Sequence, residues 1–212
     1  MIPLVSHSDM VTIIPAKPFE QAKSRLSPVL TPSERAGLSQ RLLIHTINVA
    51  RSVGQVVVIS RDKHVRQVAK KNGAWAWVEA GSDLNEALEQ ATGWITAQGV
   101  EASLIIPSDL PLLTEAALTE MIGLGQTNPA MVIAPCHRQT GTNALFLRPP
   151  KLIEFGFGEN SFALHRRLAR INGCEPVIYR SEVIGLDLDF PEDLAVLNRL
   201  TTLSGYGLRS KV

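Results

Sequence analysis

The sequence predicts an α/β domain, a mostly parallel sheet covered by helices on both faces. Short apolar runs alternate with helical patterns along the chain, and the order strand, helix, strand repeats through its first half, the signature of parallel strands joined by covering helices. At 212 residues and 45% hydrophobic, the chain can bury one sizeable core, and its length suits one large domain better than two small ones.

Strands are expected at Val11–Pro15, Val56–Ser60, Trp75–Val78, Ser103–Pro107, Ala130–Ala134, Ala144–Leu147 and Val183–Leu188. The first helix announces itself. Thr31-Pro32-Ser33-Glu34 joins an N-cap, a proline at the first helical position and a capping glutamate, and Leu38, Leu42, His45 and Val49 follow at helical spacing. Further helices are expected over Asp62–Asn72, Leu84–Ala97, Thr114–Gly123, Ser161–Asn172 and Pro191–Leu200, each opening near a Ser, Thr or Asp. Residues 11–200 then make a single domain, between a flexible N-terminal extension over residues 1–10 and a polar, glycine-containing flexible tail over residues 201–212.

Composition excludes several classes of function. The formal net charge is +1, with 21 Lys and Arg against 20 Asp and Glu, so no global basic field favours nucleic acid and any anion binding has to be local. Cys136 and Cys174 belong to no Cys-x-x-Cys pair, which argues against structural zinc and a secreted disulfide framework and for two reduced thiols in a cytoplasmic protein. No window approaches the ~20 apolar residues of a membrane span, and no membrane partner is expected. His7, His45, His64 and His137 show no paired spacing; His45 reads as helix packing, the others as exposed, and none as a metal ligand. There is no Gly-x-Ser-x-Gly turn for acyl hydrolysis, and Trp75, Trp77 and Trp94 lie too near apolar runs to form a base-stacking platform.

Sites in parallel α/β sheets lie at the carboxyl ends of the strands, and polar residues gather there three times. Ile13-Ile14-Pro15-Ala16-Lys17-Pro18 runs into Lys23-Ser24-Arg25-Leu26, a strand emptying into a loop with three cations. It lacks the glycines and the Gly-Lys-Ser/Thr ending of a P-loop, so phosphates would be held by Lys17, Lys23, Arg25 and backbone N–H groups; on charge alone, a solvated basic loop fits as well. Asp109 lies between an apolar strand and a proline-bounded turn, poorly placed for mere solvation. Asp187 and Asp189, two apart, can face one point and with Asp109 make an oxygen-rich site suited to Mg²⁺, although Asp189 can equally cap the helix at Pro191 with Glu192 completing the box. Cations for phosphate and carboxylates for Mg²⁺ at one sheet edge point to phosphoryl or nucleotidyl transfer. Gly158 followed by Ser161 at a helix start offers a second phosphate seat, or Ser161 is only an N-cap; His165 and Arg166, one turn on, lend charge there or lie on the surface. Asn85, at a helix start, can read a nucleobase edge or cap the helix.

Taken in order, Ile14-Pro15-Ala16-Lys17-Pro18, Ala22-Lys23-Ser24-Arg25-Leu26, Leu84-Asn85, Pro107-Ser108-Asp109-Leu110-Pro111, Thr140-Gly141-Thr142-Asn143-Ala144-Leu145, Phe157-Gly158-Glu159-Asn160-Ser161-Phe162 and Leu186-Asp187-Leu188-Asp189-Phe190-Pro191-Glu192-Asp193-Leu194 resemble the 2-phospho-L-lactate / phosphoenolpyruvate guanylyltransferases of coenzyme F-420 biosynthesis. The resemblance spans residues 11–200, and its most specific parts are Lys-Ser-Arg-Leu and Thr-Gly-Thr-Asn-Ala-Leu. It implies a nucleotide-diphospho-sugar-transferase-like fold, a Rossmann-like three-layer sandwich, with GTP as donor, Mg²⁺ or Mn²⁺, and an acceptor carrying both phosphate and carboxylate. By the same resemblance, Lys17, Lys23 and Arg25 face the GTP phosphates beside Pro15, and Asn85 lies near the guanine. Asp109, Asp187 and Asp189 hold metal, Thr142, Gly158 and Ser161 hold the phospho-acid, and Lys17, Lys23, Arg25 and Asp109 carry catalysis.

The implied reaction is in-line attack of an acceptor phosphate oxygen on the α-phosphorus of GTP, and the resemblance leaves room for a homodimer and for hand-over to a downstream ligation enzyme. One position departs from the pattern: Arg61, in Ser60-Arg61-Asp62, stands where family members often carry an acidic residue. The alternatives are another nucleotidyltransferase of this fold, with a molybdopterin or sugar-phosphate acceptor, and a catalytically silent GTP-binding module, which would have no need of three carboxylates.

Overall fold

The computed structural model describes residues 9–203. His7, most of the expected N-terminal extension and most of the expected tail lie outside the described residues.

In chain order the elements are β1 (Met10–Pro15), α1 (Pro32–Val53), β2 (Gln55–Ser60), α2 (Lys63–Lys71), β3 (Trp75–Val78), α3 (Leu84–Ala97), β4 (Ala102–Ile105), α4 (Glu115–Gly123), β5 (Ala130–Pro135), β6 (Thr142–Arg148), α5 (Ser161–Ile171), β7 (Val177–Ile178), α6 (Glu182–Gly185) and α7 (Pro191–Leu203). The strands form one seven-stranded sheet in the order β3-β2-β1-β4-β6-β5-β7. Its pairings are parallel except where β6 runs against β4 and β5, so the mostly parallel sheet is borne out.

Burial follows the two-residue period of the strands. Met10 and Ile14 of β1 face Leu43 and Ile47 of α1 and Leu118 and Met121 of α4. Val11 and Ile13 face the other way, toward Leu88 and Ile95 of α3 and Phe162 and Ala169 of α5. The helices start where their caps stand. Thr31 Oγ1 accepts from Glu34 N–H at 3.3 Å while Thr31 N–H donates to Glu34 Oε2 at 2.7 Å, a closed capping box, and Asp62, Asp83 and Thr114 cap α2, α3 and α4 with their side chains. Asp83, rather than Asn85, therefore caps α3.

Beside shifts of one or two residues, as at β4, which ends at Ile105 rather than Pro107, and at β6, which spans Thr142–Arg148 rather than Ala144–Leu147, three differences from expectation stand out. Met10 already belongs to β1 and is buried, and α7 runs on to Leu203. The third difference is one of type: Val183–Leu188 is not a strand. Ser181 caps a single helical turn, α6, and the chain then runs extended with Leu188 N–H bonded to Asp109 C=O at 3.3 Å. The apolar side chains Ile184, Leu186 and Leu188, two apart and all buried, imitate a strand, but the seventh strand is the two-residue β7. A short apolar run cannot by its period distinguish a buried strand from a buried turn.

The reversal of β6 is what positions the site. Ile105 of β4 pairs with Leu145, so the first residues of β6, Thr142 and Asn143, reach the edge of the sheet at which β1 and β4 end.

Candidate active site

Past the end of β1 the chain is pinned twice, by Phe19, 4% exposed, and by Leu26, fully buried. Between these anchors Lys23 adopts a left-handed conformation (φ 57°), rare for a residue with a side chain, at the junction of two short 3₁₀ turns. The result is a lysine turned inward. Its Nζ donates to Asp109 Oδ2 at 2.5 Å and to Asp189 Oδ1 at 3.0 Å, and its side chain is 6% exposed. Burial on its own would lower the Lys23 pKa, but the charges of Asp109 and Asp189 outweigh it and the ammonium is held above its ordinary value. Arg25 Nη1 meets Asp189 Oδ2 at 3.3 Å, and its guanidinium lies 4.9 Å from the centre of the Phe190 ring. Lys17, by contrast, is exposed and makes no ion pair among the described residues.

The carboxylates are fixed from behind. Buried Leu110 and Leu113 anchor the loop of Asp109, whose Oδ1 is buried without a hydrogen-bond partner. Burial pushes the Asp187 carboxyl above the usual carboxylate range and the Asp109 charge adds to this, while the Asn143 amide, 3.2 Å away, acts in the opposite direction. Asn143 Nδ2 also donates to Ile184 C=O at 2.9 Å and Gly185 C=O at 3.1 Å, which ties β6 to the segment carrying Asp187.

Asp189 does not cap α7. That work falls to fully buried Asp193, whose Oδ2 accepts from Asp189 N–H at 2.9 Å and Phe190 N–H at 2.7 Å, while its Oδ1 accepts from Arg138 at 2.6 Å. His137 stands beside the same group, Nε2 3.6 Å from Asp193 and Nδ1 4.0 Å from Asp187.

Among the described residues no set of three His, Cys, Asp or Glu side chains is gathered as a finished metal cage. The donor chemistry nevertheless fits a hard divalent cation: Asp109, Asp187 and Asp189 offer oxygens only, Asp109 Oδ1 is buried and unpartnered, and Asp187 feels both other carboxylates.

The second group forms around the starts of β6 and α5. Three consecutive amides of the preceding loop are held by side chains: Phe155 N–H by Glu89 at 3.3 Å, Gly156 N–H by His165 Nε2 at 3.1 Å and Phe157 N–H by Asn85 Oδ1 at 2.7 Å. Asn85 Nδ2 returns a bond to Phe157 C=O at 3.2 Å, so both ends of this amide bind the loop. Gly158 follows at φ 141°, and a Cβ built on it would meet nothing within 4 Å. Ser161 does not act as N-cap, since Asn160 holds that place; the Ser161 hydroxyl accepts from Thr142 N–H at 3.1 Å, and Thr142 Oγ1 lies 3.1 Å from His165 Nδ1. His165 is fully buried rather than superficial.

Arg61 has a structural occupation. Its Nη2 donates to Glu79 at 2.6 Å and reaches Gly81 C=O and Ser82 C=O at 3.4 and 3.3 Å, fixing the chain between β3 and α3. Two surface hollows, of about 500 and 320 Å³, lie elsewhere, along Arg166 and Arg170 of α5 and around Leu124 and Val177.

Residues 10–204 match the family model described as guanylyl transferase CofC like. The chain is similar to a phosphoenolpyruvate guanylyltransferase of Rubrobacter xylanophilus, 37% identical over 187 residues that cover 87% of this chain and 91% of that one. It is also similar to a 2-phospho-L-lactate guanylyltransferase of Methanothermobacter thermautotrophicus, 39% identical over 184 residues and covering 86% and 81%. A crystal structure of a putative nucleotide-diphospho-sugar transferase from Desulfovibrio desulfuricans superimposes with a TM-score of 0.77 at 18% identity, covering 96% of this chain and 92% of that one. A 4-diphosphocytidyl-2C-methyl-D-erythritol synthase from Anaerococcus prevotii gives 0.63 at 12% identity, covering 91% and 96%.

Proposed function

Because the chain belongs to the guanylyl transferase CofC-like family, we propose that it transfers GMP from GTP to the phosphate of a small phospho-carboxylic acid, phosphoenolpyruvate or 2-phospho-L-lactate, releasing pyrophosphate, as a step of coenzyme F-420 biosynthesis. The observation that carries this reading is the convergence of Lys23 and Arg25 on Asp109 and Asp189, with Asp187 adjacent, at the carboxyl edge of β1 and β4.

An acceptor phosphate oxygen attacks the α-phosphorus of GTP, a P–O bond forms there, and the bond from the α-phosphorus to the bridging oxygen breaks with pyrophosphate as leaving group. Positioning and charge stabilisation supply the rate, since little covalent help is needed. Lys17, Lys23 and Arg25, beyond Pro15, bind and orient the triphosphate; Arg25 can fork onto two oxygens, while the lysines act as point charges. Asp109, Asp187 and Asp189 would hold Mg²⁺ or Mn²⁺, which when bound neutralises phosphate charge and orients the leaving group. Asn85 sets the loop beside the guanine site, and Thr142, Gly158 and Ser161 hold the acceptor.

Among the described residues no helix is long and apolar enough to cross a membrane, and both cysteines are free and buried, which suits work on small metabolites in the cytoplasm. A homodimer, and a downstream ligase that consumes the activated phospho-acid, complete the proposal. The test is pyrophosphate release from GTP with phosphoenolpyruvate, 2-phospholactate and 3-phosphoglycerate in turn, with the product trapped by the downstream ligation. Release with one or more of them is expected; GTP binding without release from any of the three would leave a silent binding module.

A further inference from the structure

The transfer reaction assigns no role to His165, a buried titratable residue beside the proposed acceptor seat. His165 is fully buried and touches three things: Gly156 N–H through Nε2 at 3.1 Å, Thr142 Oγ1 through Nδ1 at 3.1 Å, and the Phe157 ring, edge-on, with centroids 4.7 Å apart.

These contacts settle the proton. A backbone N–H can only donate, so Nε2 is the acceptor and carries no hydrogen. The imidazole then keeps its proton on Nδ1, which must donate to Thr142 Oγ1. The Thr142 hydroxyl therefore accepts from His165, and its own hydrogen has no partner among the described residues. Ser161 repeats the pattern: its oxygen accepts from Thr142 N–H, and its hydrogen too has no acceptor among the described residues. Both side chains are buried, Thr142 at 8% and Ser161 at 2% exposure. Two adjacent hydroxyls have each accepted and not donated. Unused buried donors call for an acceptor, and an anionic oxygen satisfies two at once.

We propose that His165 is a positioning residue of the acceptor site: as the Nδ1–H tautomer it donates to Thr142 and thereby directs the Thr142 hydroxyl hydrogen, together with that of Ser161, toward an anionic oxygen of the phospho-acid. The inference rests on the transfer reaction proposed above only for the identity of the acceptor. The same ring accepts from Gly156 and so also fixes the loop leading to Gly158. Its burial among uncharged partners keeps it neutral, with the pKa pushed down to about 4, so the donor role persists through the physiological range.

The tautomer is read first, from the ¹⁵N shifts of histidine-labelled protein. A protonated Nδ1 and a bare Nε2 are expected for His165, and the opposite tautomer would overturn the proposal. Calorimetric titration with phosphoenolpyruvate in the presence of GTP and Mg²⁺ then compares wild type with His165→Gln, His165→Asn and Thr142→Val. His165→Asn can still present a donor to Thr142 and should hold phosphoenolpyruvate within about threefold of wild type. His165→Gln and Thr142→Val should weaken it roughly tenfold, as loss of one hydrogen bond to a charged group predicts, with GTP affinity unchanged. Thr142→Val with His165→Gln should be no worse than either alone, because both remove the same donor. Should the histidine variants fail to fold, Thr142→Val against Thr142→Ser carries the same comparison. Equal phosphoenolpyruvate affinity in all folded variants, parallel losses for GTP and phosphoenolpyruvate, or no phosphoenolpyruvate binding by wild type would each overturn the inference. Binding that depends on His165 without any pyrophosphate release would instead overturn the transfer reaction and leave the seat standing.

Discussion

The two halves of the site are built from opposite materials. Around Lys23 full charges face one another, with two carboxylates within 3.0 Å of one ammonium and a third carboxylate next to them. The groups that His165, Thr142, Ser161 and Asn85 share are neutral, two hydroxyls, an imidazole, an amide and backbone N–H groups, and the Glu89 carboxylate reaches only the outer amide of Phe155. The difference concerns exchange against pre-organisation. Ion pairs at a partly wet edge can be replaced by a phosphate or a divalent cation, which leaves the charged half ready to trade Lys23 for ligands. Neutral hydrogen bonds with fixed donors and acceptors resist such trade and hold a geometry in advance. A triphosphate of high charge suits the first half, and a small acceptor that must be aimed suits the second.

The largest effect should come from breaking the charged half at its centre. Asp109→Asn keeps the shape but removes a charge that faces Lys23 and an oxygen buried without a partner. Turnover is expected to fall on the order of 10²-fold or more, about 3 kcal/mol of transition-state stabilisation, and chelation of divalent metal should do the same to wild type. Near-normal turnover in a folded Asp109→Asn protein would remove that residue from the mechanism.

The neutral half should reveal itself through pH. Folded His165 titrates near 4 while an exposed histidine titrates near 6.5, so its native form excludes a proton that the unfolded chain accepts. A depressed pKa gives stability that is complete above about pH 6.5 and is lost as pH falls toward 4, by about 2 to 3 kcal/mol at the lower end. Urea unfolding at pH 7 and pH 4.5 measures it. In His165→Gln this component of the pH dependence should vanish; an unchanged difference would mean that other groups cause it.

Ser161→Ala probes the neutral half from the substrate side. One donor is lost from one substrate only, so the acceptor KM should rise roughly tenfold, ~1 to 2 kcal/mol, with the GTP KM unmoved. Normal acceptor kinetics with a lowered Tm would reduce Ser161 to a brace for Thr142 N–H.

The same division explains what could be read from the sequence. Lys23, Asp109 and Asp189 were visible because charges in loops that follow apolar runs are hard to explain by solvation alone, and the structure brings these three together. Helices α1 and α3 were legible from caps and spacing, since both signals are local. Asn143 and Asp193 were missed, and the role of His165 misjudged, for a common reason: each acts through partners nine or more residues away, or through backbone groups whose position depends on the fold. Asn143 left a trace, being an amide at the start of an otherwise apolar strand, and Asp193 another, three residues after Phe190 at a helix start. His165 left none. One turn into an amphipathic helix, it could as well have faced solvent, and only the packing of Phe157 and Gly156 over it decides otherwise.

The smallest effect is expected at the rim of the charged half, where Arg25→Lys asks how much geometry matters once charge is kept. Arg25 is 62% exposed, meets Asp189 at 3.3 Å and lies against Phe190, which Arg138 also approaches, at 4.7 Å. An exposed pair of this kind contributes about 0 to 1 kcal/mol and the ring contact about as much again, so the fold should not depend on either and Tm should move by no more than a few degrees. A lysine keeps the charge but cannot fork onto two phosphate oxygens or lie flat on the ring. The GTP KM should therefore rise about threefold to tenfold while the acceptor KM stays fixed, a loss of about 1 kcal/mol confined to one substrate. Equal GTP kinetics in both proteins would make Arg25 a surface cation and leave the triphosphate to Lys17 and Lys23, whereas a loss shared with the acceptor would mean that the two halves of the site are not separable at this residue.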